Sequence, residues 1–474
     1  MHSNLFLFLW CSVIALGNFH YGYSLNEIDQ ISNITPCIYN FLPGSREWYN
    51  LLFTQIIPMM AALVSYFVYK VSPLGKRKIM LFIAATVILS SCIKMFRSLS
   101  TLIIGQMITG ACTGVSSIIC PLFIAEICPL KYRGGYIGLA QLFITIGIMT
   151  SLITGLTFPN FSEPENKGYC DDFDDQLSWR YLFIVPAIPS AIQIILLLLF
   201  FKEENPNFYG RRASSSYQRL EEDSDPAEDR THSLNMLLPQ EVYRETSGDK
   251  SLFNISQTQR CLSQFFQQLT GINMIIYYSH FFKLHNDMNQ LNLRLLVGLC
   301  NFVMTPISLY IAAVTRRKPL FLIGFMICAA CNTMLFQVFD IEELGDSISL
   351  GSLYTIFAIS FIMLFIIAFS LTLGTITWVY TAEVMNDWEM GIANMTHWST
   401  NFMINLLPTL AALLDPSHET DKNQDRYTGI FFLLYSGACL CGFFFTIVYV
   451  KESIMYQKQR TPIQQESLSE DSSF

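Results

Sequence analysis

Between Gln264 and Tyr278 an otherwise apolar run carries Gln264, Gln267, Gln268, Thr270, Asn273, Tyr277 and Tyr278. Gln264, Gln267 or Gln268, and Thr270 or Gly271 recur three to four positions apart, which puts them on one helical face. Gln268 and Asn273 are five apart, so their faces overlap only in part. Other apolar runs add Gln141, Asn301 with Thr305, Thr375, Thr377 and Trp378, and then His397, Trp398 and Asn401. An amide donates and accepts at once, which suits a solute dense in hydroxyl groups, and an indole covers such a solute's C–H faces. A phosphate or metal ligand would call for charge, and none stands among these groups. The competing reading is that Gln and Asn glue helices together in lipid. For one amide alone the two readings weigh equally; the density of the cluster favours a binding site.

The elements that must hold these groups are membrane spans. Of 474 residues 52% are hydrophobic and 14% charged, with 38 Phe and a mean hydropathy of +0.38, whereas a soluble domain is roughly 25% charged. Apolar residues come in blocks of about 20, the length that crosses a bilayer as a helix. Twelve such blocks are expected at 4–25, 48–69, 79–96, 99–125, 134–157, 179–201, 258–282, 293–314, 319–339, 350–382, 391–414 and 428–450. The block at 350–382 exceeds one helix, so it contains a break or a loop edge. Residues 1–25 lack a basic leader and a small-residue cleavage site, and read as a retained first helix. The net charge of -8 resides largely in loops and tails and implies no nucleic-acid partner.

Lys70, Lys76, Arg77 and Lys78, then Lys131 and Arg133, then Arg316, Arg317 and Lys318 occupy alternate loops. By the positive-inside rule these loops and both termini are cytoplasmic. The sequons at Asn33 and Asn160 then face outward, as do Cys37 and Cys170, a pair that is either free or disulfide-bonded if that face is oxidising. No cysteine spacing suggests a metal, and no cofactor is expected. The polar stretch 202–257 divides the chain into a six-helix bundle at 1–201, a cytoplasmic linker, a second bundle at 258–450 and a tail at 451–474. Within the linker Arg211-Arg212-Ala213-Ser214 has the form of a basophilic kinase site, though a plain solvated linker explains it as well. The halves repeat: Ala125-Glu126 with Gly134 is echoed by Ala382-Glu383 with Gly391, and Lys76-Arg77-Lys78 by Arg316-Arg317-Lys318. Two similar bundles closing alternately around a midplane site are the architecture of a carrier. No Asp or Glu is read deep within a span, with Glu27 placed at an outer end, and this favours uniport over proton symport.

Pro121–Gly135 (PLFIAEICPLKYRGG), Ala140–Ile148, Trp179–Gln193 and Phe265–Ser279 (FFQQLTGINMIIYYS) resemble the sugar porter branch of the major facilitator superfamily, close to facilitative glucose transporters. The resemblance implies an all-α, twelve-helix membrane protein that is not an enzyme. It implies that Gln141, Gln267, Gln268, Asn273 and Asn301 hydrogen-bond a sugar, with Asn401 added from its place in the eleventh span. Ile144 and Ile148 would line the site, Trp378 would contact the sugar and Trp398 would pack beneath it. Tyr277 and Tyr278 resemble an outer gate, and Glu126 with Arg133 a cytoplasmic charge latch, to which Glu383 and Arg317 of the second half are added. Departures thin the latch: Ser72 stands where Asp is expected, and Gln106 and Met390 stand where Arg is expected. Ser370 replaces a common Glu, and Glu204-Asn205-Pro206-Asn207 is an eroded motif. A weaker bias toward the outward-facing state is therefore expected. The implied function is facilitated hexose diffusion, glucose foremost, at a plasma membrane. A polyol such as myo-inositol, or a non-transporting sugar sensor, are the alternatives, and oligomeric state is open.

Overall fold

The computed structural model describes residues 2–31, 35, 39, 46–129, 132–156, 178–200, 257–278, 290–341, 348–414 and 421–450. In the first half α1 (His2–Ala15) passes through a short turn into α2 (Phe19–Glu27), followed by α3 (Arg46–Ser65) and the short α4 (Val68–Val71). Then come α5 (Lys76–Lys94), α6 (Leu99–Ile127), α7 (Arg133–Leu156), α8 (Ser178–Ile184) and α9 (Ala187–Phe200). The second half holds α10 (Gln257–Gln268), α11 (Ile272–Tyr278), α12 (Gln290–Val314) and α13 (Arg317–Ile341). It ends with α14 (Ile348–Leu371), α15 (Leu373–Val384), α16 (Asp387–Leu414) and α17 (Asp421–Tyr449). Taken as straight or broken rods, these match the twelve expected blocks one for one.

Eight described helical stretches are long and apolar enough to cross a membrane unaided, and a ninth is the pair Leu52–Ser65 and Val68–Leu74, bent by 55°. The rods that fall short have a physical reason to do so. α5 starts on Lys76-Arg77-Lys78 and ends on Lys94, α10 and α11 carry the amides, and α16 opens on Asp387 and Glu389. Large apolar side chains such as Phe82, Leu199 and Phe444 stand outward. Helices whose outer faces are this greasy need hydrocarbon around them.

Two breaks lie where the site will be. Gly271 has φ +89, a left-handed conformation that glycine adopts without penalty, and it separates α10 from α11. Thr372, at φ −122 and ψ −91, separates α14 from α15, which locates the break anticipated within 350–382. Small residues bring backbones together elsewhere. Gly22 of α2 lies against the Ile144 carbonyl of α7, and Gly147 of α7 answers against the Phe19 carbonyl, so neither position has room for a side chain. The halves meet chiefly where α3 packs on α16 and α7 packs on α12.

Candidate functional site

The amides of α10 and α11 form one buried network with α16. Gln268 Nε2 donates to Gln267 Oε1 at 2.9 Å, and Gln268 Oε1 accepts from Asn273 Nδ2 at 2.6 Å and Asn401 Nδ2 at 3.2 Å. The break at Gly271 is what lets Asn273, five residues on, turn back onto Gln268. His397 Nδ1 lies 2.9 Å from Gln264 Oε1, and its Nε2 lies 3.0 Å from Gln268 Nε2. A proton on Nδ1 satisfies both contacts, with Nε2 accepting. Asn405 extends the chain to Asn401 Oδ1 at 2.8 Å. On α12, Asn301 Oδ1 accepts the Ser370 hydroxyl at 2.8 Å, so the Ser that stands in place of a carboxylate is engaged with the site.

Aromatic rings carry the site across to the first half. Trp378 lies 5.0 Å from the His397 ring, His397 5.3 Å from Trp398, and Trp398 4.9 Å edge-on to Tyr21 of α2. Trp398 is fully buried and packs with Tyr21, Ala61, Ile144, Ile148 and Leu152 in one apolar cluster. Gln141 is half-buried one helical turn before Ile144 on α7.

A narrow cleft lies between the halves. Asn26, Ile148 and Leu152 wall it from the first half, and Ile275, Ile276, Arg294, Val297, Gly298 and Asn301 from the second. Of the expected contact residues only Ile148 and Asn301 are in these walls. Gln267, Gln268, Asn273 and Asn401 instead bond one another, as buried amides do. Tyr277 and Tyr278 extend α11, but their side chains lie outside the described residues, as do Cys37 and Cys170.

Charge pairs sit at both ends of the rods. Arg317 binds Glu383 through Nη2 at 2.7 Å and Nε at 3.2 Å, a buried fork, while its Nη1 donates to the Ala312 and Thr315 carbonyls. Gly134 of α7 lies directly against this guanidinium, so the pair seats the second half on the first. Glu126 bonds Lys76, and Arg133 reaches the Cys128 carbonyl at 3.4 Å, with Glu383 and Glu126 as its nearby opposite charges. The expected latch is thus spread over more groups than the Glu126–Arg133 pairing.

Several groups escaped the sequence reading. Ser72 donates to Asp387 at the start of α16, Lys76 also faces Asp387 at 3.9 Å, and Trp388 packs edge-on to Tyr69 at 4.5 Å. Asn394 bridges the halves through Ser65 and Ser117, each at 2.8 Å. Glu27, placed in the sequence reading at an outer end clear of the span interior, is 0% exposed and holds Lys94 at 2.6 Å. A carboxylate does lie buried in the first half, neutralised by a lysine from α5. Lys94 inside an apolar block was the available signal.

Two helical halves with a polar seam, a pocket between them and charge pairs at the ends of the seam define a membrane carrier of the major facilitator type. A family model described as "Sugar (and other) transporter" matches residues 10–458, and the chain belongs to that family. It is similar to hexose transporter 1 of Plasmodium yoelii yoelii, 25% identical and covering 74% of this chain and 70% of the relative. It is also similar to solute carrier family 2, facilitated glucose transporter member 3 of Oryctolagus cuniculus, 26% identical over 86% of this chain and 84% of that one. Among solved structures the proton:xylose symporter XylE of E. coli, bound to 6-bromo-6-deoxy-D-glucose, superposes with a TM-score of 0.71 at 19% identity. That superposition covers 96% of this chain and 97% of XylE. The chain is a multi-pass membrane sugar transporter and not an enzyme.

Proposed function

We propose that the chain carries a hexose of the glucose class by facilitated diffusion, the two halves rocking about the pocket between them. The observation that carries this reading is the self-bonded network of neutral amides beside that pocket. Each amide there can exchange its neighbour for a sugar hydroxyl without stranding a charge. In this reading Gln141, Gln267, Gln268, Asn273, Asn301 and Asn401 serve as sugar contacts, Ile144 and Ile148 as apolar lining, and Trp378 and Trp398 as the ring floor. Tyr277 and Tyr278 form the outer gate. Glu126, Arg133, Glu383 and Arg317 hold the cytoplasmic end in a plasma membrane with both termini inside. The division at 1–201, 202–257, 258–450 and 451–474 is part of the same proposal.

Counterflow of labelled glucose in proteoliposomes tests it, and binding of glucose without exchange would replace the carrier by a sensor. Stronger exchange of myo-inositol than of glucose would favour a polyol carrier. Uniport is favoured because Glu27 and Glu383 are both held in ion pairs, so neither needs a proton to remain buried. The competing reading is proton symport, supported by the buried position of Glu27 and by the description of XylE as a proton symporter. Alkalinisation of a weakly buffered exterior on adding sugar would decide for symport.

A further inference from the structure

We propose that Asn394 is a positioning residue of the transport cycle, a neutral clasp across the seam that must release before the halves part toward the end bearing the basic loops. The inference rests on the rocking reading above and adds the contact that this opening breaks. Asn394 lies on α16, seven residues after Asp387 and four before Trp398. At 1.5 Å per residue it stands about 10 Å in from the end where Asp387 meets Ser72 and Lys76. It is buried, and it shares a helical face with the Trp398 indole one turn on.

Asn394 Nδ2 donates to Ser65 Oγ at the end of α3 and to Ser117 Oγ of α6, each at 2.8 Å. Both acceptors are aimed by their own half. Ser65 Oγ gives its proton to the Ala61 carbonyl at 2.6 Å, and Ser117 Oγ gives its own to the Gly114 carbonyl at 3.1 Å. Each hydroxyl therefore keeps lone pairs for α16, and the Gly114 carbonyl adds a third acceptor 3.2 Å from Nδ2. One amide nitrogen thus holds two helices of the other half at once. Glycines allow the approach: Gly391, three residues before Asn394, lies against the Ser65 carbonyl, and Gly114 lies against the Ala61 carbonyl. Trp398 Nε1 reaches the same Ser117 Oγ at 3.5 Å, so the clasp and the Trp398 ring share one anchor.

The other end of the amide explains why the clasp can open. Asn394 Oδ1 is buried with no partner among the described residues. Leaving that acceptor dry offsets part of what the donated bonds contribute. Parting the seam returns the oxygen to water together with the NH₂ group, and no charge is stranded on either side.

The test uses the full-length protein in sealed membrane vesicles without sugar, probed with a membrane-impermeant maleimide. Val68→Cys reports the end with the basic loops, because Val68 is buried on α4, which packs against α16. Leu152→Cys reports the opposite end, because Leu152 is buried in the cleft wall four residues before α7 stops. Each reporter is read from its own side of the membrane against the same protein without it, which subtracts the native thiols. Asn394→Leu keeps the bulk of the side chain and removes the donor. Labelling at position 68 is expected to rise about two- to tenfold, the loss of a net hydrogen bond, while labelling at position 152 stays level or falls. Ser65→Ala with Ser117→Ala, which removes the acceptors, should give the same pattern, and adding Asn394→Leu to that pair should raise it no further. Unchanged labelling at position 68 in Asn394→Leu overturns the proposal, as does full additivity with the serine pair. A rise at both ends also overturns it and makes Asn394 a packing residue only. Should Asn394→Leu fail to reach the membrane, the serine pair decides alone by the same two readings. The readout uses no sugar, so a failure of glucose counterflow refutes the hexose reading without touching this result.

Discussion

Gln268 is the junction of the polar seam, joined to Gln267, His397, Asn273 and Asn401. Gln268→Ala removes contacts worth about 0.5–1.5 kcal/mol each, so the half-saturating glucose concentration in counterflow should rise severalfold. Unchanged affinity would place the sugar elsewhere. Glu383→Gln leaves Arg317 charged and enclosed, and should cost about 3–5 kcal/mol, read as a lower unfolding temperature in detergent. A Glu383→Gln, Arg317→Gln double variant should recover part of that loss. At this scale the amides were legible because neutral polar groups in apolar blocks stand out singly. Lys94 was not, because it is explained by a partner distant in sequence, Glu27.

Broken rods supply the curvature around the pocket. Gly271→Ala places a side chain in a left-handed backbone and against the Tyr435 ring, a strain of about 1–3 kcal/mol. Counterflow by this variant should slow more than equilibrium sugar binding weakens, since the break shapes the path between states. Equal loss in both would make Gly271 a packing residue only. The excess length of 350–382 disclosed the second break without locating it; Thr372 is where the chain turns. The 55° bend after Ser65 left no such trace, because apolar residues continue through Tyr66 and Phe67.

Across the whole molecule, the ends with basic loops are drawn together by more than charge. Ser72, Asp387, Lys76 and the ring pair Tyr69–Trp388 connect α4, α5 and α16. Asp387→Asn with Trp388→Ala should increase thiol labelling of reporter cysteines at that end in the absence of sugar. No change would assign closure to the Arg317–Glu383 seat alone. The paired halves were visible in the repeated Ala-Glu and glycine positions. The seam between them was not, because Asn394 meets Ser65 and Ser117 only after α16 is laid against α3 and α6.

The Lys94 ammonium rests 2.6 Å from Glu27 and 5.2 Å from the centre of the Phe183 ring, with Gly105 leaving space for its stem. Three rods that are remote along the chain are thereby pinned at a single cage from which neither ion can depart alone without facing oil. The leading half of the transporter should consequently travel as a stiff body. In the rocking proposed above, bending within the second half would centre on the interruptions at Gly271 and Thr372, even though the first half has a bend of its own after Ser65.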